Sequence, residues 1–244
     1  MHALTLFSIS VGILSTLIYT LTPHLAKFYI FDPTALHALS ISALSAHGND
    51  TAQVVTYIVD QLSLTHSRHI NLDEEWLFNN AGGAMGAMYI IHASMTEYLI
   101  IFGTALGTEG HSGRHTSDDY FYILRGEQLA YKPGKGVYAP ERYPQGSVHH
   151  LPWGEVKQYR METGCFALEY ARGWIPLMLG FGFADSELPF FIFLMWWLEL
   201  RQGADQVNSI HEYVGLFDVV ADCLGHGARD GGKPIDWETV RVYG

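Results

Sequence analysis

Charge is what this chain of 244 residues has least of: Asp, Glu, Lys and Arg together make up 16% of it, against about 25% in a typical soluble domain. A surface so short of charge faces something other than water over part of its area. Basic residues are scarcer still, 14 against 25 acidic ones, for a formal net charge of -11. Phosphate contacts need clustered Lys and Arg, so nucleic acid is excluded as a partner. Cysteine is limited to Cys165 and Cys223. No spacing suggests a disulfide framework or a thiolate metal site, and both read as small buried residues. Phosphate-cradling glycine loops, nucleophile elbows and His-Glu-x-x-His motifs are missing too. No repeat period suggests a solenoid.

What is present is apolar. The longest run, from Ala3 to Leu21, is nineteen residues without a charge, close to the roughly 20 a helix needs to cross a hydrocarbon core of about 30 Å. No Lys or Arg precedes it, and Thr22-Pro23-His24 offers no small-residue cleavage pattern. A retained membrane anchor is therefore expected rather than a cleaved signal peptide. The chain length suits one domain with appendages and can bury a sizeable core.

From Phe28 to Leu77 the pattern is mostly helical. Leu36, Leu39, Ile41 and Leu44 follow Pro33, and Val54, Val55, Ile58, Val59 and Leu62 recur at helical spacing. Asn49-Asp50-Thr51 fits an N-glycosylation acceptor, meaningful only for a luminal segment. After Asn79 the texture changes. Asn80-Ala81-Gly82-Gly83 is a turn, and Tyr98–Phe102 is an apolar run suited to a buried strand. Short strands are then expected at Tyr120–Leu124, Gln128–Tyr131, Ser147–Leu151, Val156–Arg160 and Cys165–Tyr170, punctuated by glycine and proline turns. That rhythm indicates an all-β barrel or sandwich. Two further apolar runs, Trp174–Ala184 and Leu188–Leu198, are separated by Asp185-Ser186-Glu187. Each is too short to span a bilayer, and helices lying in a membrane surface fit them. The expected organisation is an anchor over 1–24, a helical segment over 25–78, a β-barrel over 79–172, membrane-associated helices over 173–224 and a flexible tail over 225–244.

Candidate chemistry rests on few residues. His149-His150 within a barrel invites a metal-site reading, but neighbours on a strand point to opposite faces and cannot chelate one ion. His92 and His111 have nothing to tie them together, so no metal is expected. The carboxylates are more informative. Glu169 shares a strand face with Cys165 and Ala167, and Asp119 shares one with Phe121 and Ile123, while Asp118 goes with Tyr120 and Tyr122. A carboxyl held against apolar walls has its pKa raised and can donate a proton at neutral pH. The plainer alternative has Asp118 and Asp119 starting a strand from solvent and Glu169 pairing with Arg172. On the residues alone the plainer alternative is favoured, because structural ion pairs also bury carboxylates.

A longer signature runs through Asn80-Ala81-Gly82-Gly83-Ala84-Met85-Gly86-Ala87-Met88, His92-Ala93-Ser94 with Glu97-Tyr98, Phe102-Gly103-Thr104-Ala105-Leu106-Gly107 and His111-Ser112-Gly113-Arg114. It resembles the family of the sigma-1 receptor and the fungal Delta-8 to Delta-7 sterol isomerases. Asp118-Asp119-Tyr120-Phe121, Phe166-Ala167-Leu168-Glu169 and Gly173-Trp174-Ile175-Pro176 are closer to the isomerase branch. The resemblance extends from the anchor to about Leu224.

It implies a homotrimer of cupin-like β-barrels in the endoplasmic reticulum membrane, with one N-terminal transmembrane helix and membrane-associated C-terminal helices per chain. It implies isomerisation of a sterol in ergosterol-type biosynthesis, without metal or redox cofactor, and inhibition by cationic amphiphilic amines. The alternative within the family is a non-catalytic receptor or chaperone that binds such amines and sterols. Glu169 matches the acid that holds the amine in the receptor branch. The receptor's second acid falls near Phe121, which leaves Asp119 and Asp118 as candidates for the partner. Trp76, Met85, Tyr98, Phe102, Phe121 and His149 are the implied substrate-binding residues.

Overall fold

The computed structural model describes residues 2–134 and 138–182. Cys223, the run from Leu188 to Leu198 and everything from Gly225 onward lie outside the described residues.

Helix α1, His2–Leu21, occupies the position of the expected anchor. Ile9, Val11, Ile13, Leu14 and Leu17 all point outward. Its hydroxyls fold back onto the helix, Thr16 donating to the Gly12 carbonyl at 2.8 Å and Thr20 to that of Thr16 at 2.9 Å. Side chains 2–8 and 10 lie outside the described set. Among the described residues no helix is long and apolar enough to cross a membrane. A 3-10 turn, Thr22–Lys27, follows, and Thr22 accepts a hydrogen bond from the Trp174 indole at 2.9 Å.

Helices α2, Pro33–His47, and α3, Thr51–His66, each begin with an aspartate cap, Asp32 accepting from Ala35 N and Asp50 from Gln53 N. Such a cap satisfies a donor that the first helical turn leaves orphaned. The periodic residues Val54, Val55, Ile58, Val59 and Leu62 are all buried, as the spacing predicts, whereas Ile41 is exposed. Asn49 sits exposed before the second cap and accepts from the Gln145 amide. The helical pattern stops at His66, short of Leu77; residues 67–75 are turn and irregular backbone, and Trp76 begins a strand.

That strand, β1 (Trp76–Ala81), forms a hairpin with β2 (Ala84–Ala93), closed by Gly82 and Gly83 at φ +61° and +87°. The remaining strands are β3 (Glu97–Thr104), β4 (Thr108–His111), β5 (Ser117–Arg125), β6 (Glu127–Tyr131), β7 (Glu141–Pro144), β8 (Val148–Leu151), β9 (Gln158–Met161) and β10 (Cys165–Gly173). Six make an antiparallel sheet in the order β1-β2-β3-β10-β5-β8, and four make a second in the order β4-β9-β6-β7. The fold is thus mainly β with a few helices, ending in α4, Ile175–Gly182. The sequence pattern gives no expectation of strands β1, β2, β4 and β7.

Strict alternation on the central strands separates two cores. Leu168 and Tyr170 of β10, with Tyr122 and Leu124 of β5, pack beneath α2 and α3. Cys165, Ala167 and Ala171, with Phe121 and Ile123, face the other way, toward Met161 and Tyr159 of the second sheet. The helices are tied down by tyrosines: Tyr122 donates to the Pro33 carbonyl at 2.9 Å and Tyr170 to that of Phe31 at 3.0 Å. Buried Glu97 accepts from Ile30 N at 2.7 Å. Burial pushes its carboxyl above the usual carboxylate range, against hydrogen bonds from Tyr170 and the backbone.

Candidate active site

A chamber opens between the two sheets and is roofed by α4. Met88, Ile90, Ile100, Phe102 and Phe121 make up much of its wall, and Ile175, Met178 and Phe181 close it. Its polar groups are few: Glu169, Tyr98, Tyr159, His111, Ser112, Asn79 and His115. An apolar cavity with a handful of converging polar groups is the usual form of a small-molecule site.

Glu169 lies mid-strand on β10, opposite Ile100 of β3 and Phe121 of β5. Its same-face neighbours Ala167 and Ala171 are small, leaving room above the strand. The Tyr98 hydroxyl donates to Glu169 Oε1 at 2.5 Å. Burial pushes the Glu169 carboxyl up to about 7, helped by the Asp119 charge and opposed by the Tyr98 hydrogen bond and by His115. A carboxyl raised this far keeps a protonated population close to neutral pH, where an ordinary glutamate has none to give. Arg172 does not pair with it; its guanidinium instead bonds the Tyr120 hydroxyl at 3.1 Å. Tyr98 stays a phenol, since burial and the nearby Glu169 charge raise it. In a Tyr98→Phe variant the carboxylate loses its donor, and the Glu169 midpoint should move upward from about 7. Carboxyl-carbon NMR of labelled protein measures it, and a downward move would show that the phenol does not favour the charged form.

Asp119 is fully buried, facing inward as the alternation predicts. Both its oxygens are taken: Oδ2 by His115 Nδ1 at 2.5 Å and Oδ1 by the Ser117 hydroxyl at 2.5 Å. The chamber wall at this point is therefore the His115 ring, with Asp119 behind it. Asp118 is on the opposite face, half-exposed, accepting from Trp153 N at 3.0 Å and contacting His150 at 3.4 Å. The structure brings Glu169 and Asp119 together and leaves Asp118 outside.

Of the expected wall residues, Tyr98, Phe102 and Phe121 line the chamber. Trp76 and Met85 do not. They sit half-exposed on the outer face of the hairpin, Trp76 against Tyr89 and Phe166, while Asn79 and Ala81 of the same hairpin line the chamber. His149 is buried one layer back, its ring against Phe121. Its Nδ1 meets Gln128 Oε1 at 2.7 Å and its Nε2 lies 3.1 Å from the Lys157 ammonium. Burial and Lys157 drive it down to about 3, so the ring is a neutral support. His150 points outward beside Asp118, as adjacency on a strand requires. His92 bonds the His69 carbonyl and His111 accepts from Gly113 N, at separate places. Among the described residues no group of three or more His, Cys, Asp or Glu is placed to hold a metal ion.

Sequence reasoning missed His115, Tyr159, Asn79 and Ala81 among the lining residues. His115 stands four residues before Asp119 in a loop, where no period marks which way a side chain turns. Burial works against a charged His115 ring, but the hydrogen bond and charge of Asp119, the Glu169 charge and the Ser112 backbone together outweigh it, and the pKa is raised.

The family model described as "ERG2 and Sigma1 receptor like protein" matches residues 8–208. The C-8 sterol isomerase ERG2 of Gibberella zeae is 60% identical over 200 residues, covering 82% of this chain and 84% of that protein. The C-8 sterol isomerase erg2 of Aspergillus fumigatus is 59% identical over 205 residues, covering 83% and 85%. The sigma non-opioid intracellular receptor 1 of Danio rerio is 36% identical over 179 residues, covering 72% and 78%. An RmlC-like cupin of Shewanella frigidimarina, 15% identical, aligns over 43% of this chain and 90% of that one with a TM-score of 0.36.

Proposed function

This chain belongs to the ERG2 and Sigma1 receptor like family, and we infer that it is a C-8 sterol isomerase, which moves a ring double bond from Delta-8 to Delta-7. The carrying observation is Glu169, a carboxyl poised near pH 7 in a chamber walled by apolar side chains. A flat sterol skeleton asks for such walls, and the reaction asks for one strong proton donor within them. Protonation of the alkene at ring carbon 9 leaves a cation at carbon 8, and loss of a proton from carbon 7 completes the shift. A donor whose pKa is near the working pH is the efficient choice. Once Glu169 has given up its proton, its carboxylate stays beside the cation, in an enclosure where opposite charges attract strongly. Phe121, directly across the strand pair from Glu169, adds an aromatic face suited to a cation.

The receptor reading is the second possibility, because Glu169 would also hold an ammonium. The relatives favour the enzyme: four fungal C-8 sterol isomerases are 57–61% identical, and three sigma receptors 35–37%. The wider arrangement belongs to the same proposal. The two sheets form a cupin-like barrel, α1 anchors the chain in the endoplasmic reticulum membrane, α4 lies toward that membrane, and three chains assemble. Cationic amphiphilic amines are the proposed inhibitors, as mimics of the carbon-8 cation.

Expression of the intact chain in a yeast strain lacking its own Delta-8 isomerase tests the activity. Accumulated Delta-8 sterols should convert to Delta-7 sterols. Good expression and tight amine binding without conversion would replace the isomerase with the receptor.

A further inference from the structure

We propose that His115, held in place by Asp119, is the second proton carrier of this isomerisation, taking the proton from carbon 7 after Glu169 has protonated carbon 9. The proposal rests on the isomerase reading and adds a residue to it.

Four observations converge on this ring. It lines the same chamber as Glu169. Its Nδ1 is committed to Asp119 Oδ2 at 2.5 Å, and Asp119 is itself fixed by Ser117 at 2.5 Å. A carboxylate at Nδ1 selects the tautomer with the proton there, so Nε2 carries the lone pair. That Nε2 is buried and has no hydrogen-bond partner among the described residues. A buried acceptor with nothing to accept is uncommon in a folded protein and calls for an explanation. A proton supplied by the substrate is one that also explains why so much structure holds the ring still. The register places the pair correctly: Asp119 lies opposite Ala171, two residues along β10 from Glu169 and on the same face.

The proton balance closes without another reactant. The Glu169 O–H bond breaks and a C–H bond forms at carbon 9 from the electrons of the 8,9 double bond, leaving the cation at carbon 8. The C–H bond at carbon 7 then breaks, its electron pair becomes the 7,8 double bond, and the proton passes to His115 Nε2. Asp119, a positioning residue, stabilises the imidazolium so formed. Return of that proton from Nε2 to the Glu169 carboxylate resets the site, with nothing oxidised or reduced. Asp119 thus acts through His115 and does not touch the sterol.

The test uses the full chain in detergent, assayed for Delta-8 to Delta-7 conversion and for binding of a lipophilic tertiary amine. His115→Asn keeps a donor for Asp119 and removes Nε2. Turnover should fall by about 10²- to 10³-fold, with KM and amine affinity within about threefold of wild type. In His115→Gly, added imidazole should restore part of the lost turnover. A merely structural His115 would lower amine affinity and thermal stability along with turnover, and imidazole would restore nothing. Turnover in His115→Asn within about threefold of wild type would show that another base serves carbon 7. If His115→Asn does not fold, His115→Gln is read by the same criteria. An inactive wild-type chain would instead sink the isomerase reading, and this proposal with it.

Discussion

Glu169→Gln should cut sterol turnover by about 10³-fold while making the folded protein more stable at alkaline pH. The first effect follows from removing the only proton donor the proposed chemistry has at carbon 9. The second follows from linkage. Burial raises the Glu169 pKa from 4.5 to about 7, so the folded chain binds this proton more tightly than the unfolded one. The associated stability is fully present below the unfolded value, declines as pH rises through the folded value, and is gone above it. Over that span it amounts to about 3 kcal/mol. Gln is neutral at every pH and can still accept the Tyr98 hydroxyl. The variant should therefore match wild type near pH 5 and exceed it near pH 8, read as thermal midpoints across that range. Parallel midpoints at all pH values would mean that Glu169 is not held as a buried acid. Full turnover would mean that another group protonates the sterol. A gain of stability on losing function is common where a site keeps a charge out of water.

The sequence makes parts of this site legible and hides others for identifiable reasons. From Ala167 to Ala171 on β10 and from Asp118 to Ile123 on β5, clear of the irregularity at Phe166, the two-residue period holds, and it sorts Glu169 and Asp119 inward and Asp118 outward. Helix α3 is equally plain, because all five of its periodic residues face the sheet. Strands β4 and β7 are short and half-exposed, with Glu109, Glu141 and Arg142 among their residues, so no apolar alternation marks them. The hairpin of β1 and β2 shows the cost of missing a strand. Trp76 and Met85 are wall residues only by the resemblance; a shift of one position turns a whole set to the other face, and in this hairpin Asn79 and Ala81 face the chamber. Asp119 was visible but its role was not. A carboxylate can be placed on a face from its period, whereas the loop residue that covers it, His115, has no period to betray it.

Gly82→Ala should be among the most damaging single-methyl changes among the described residues, lowering stability by about 2–5 kcal/mol. The turn needs φ +61° there, a left-handed conformation that costs an L-residue about 1–2 kcal/mol. An added Cβ would also stand 2.2 Å from the His111 carbonyl oxygen and 2.8 Å from the Phe181 ring. Forcing those apart is overpacking, which typically costs a further 1–3 kcal/mol or so. The His111 oxygen cannot simply swing away, because His111 N is itself bonded to the Gly82 carbonyl at 3.0 Å. Phe181 is the movable neighbour, and it lies against both the His111 and His115 rings. Displacing it would lift the end of α4 from the chamber, so amine affinity should fall together with stability. Gly83→Ala is the internal control. Gly83 also has a left-handed φ, +87°, but nothing approaches its Cβ position closer than 3.9 Å. It should lose only the backbone cost of about 1–2 kcal/mol and keep its amine affinity. Equal effects at the two positions would show that backbone conformation alone matters at this turn and that Phe181 is not seated against it.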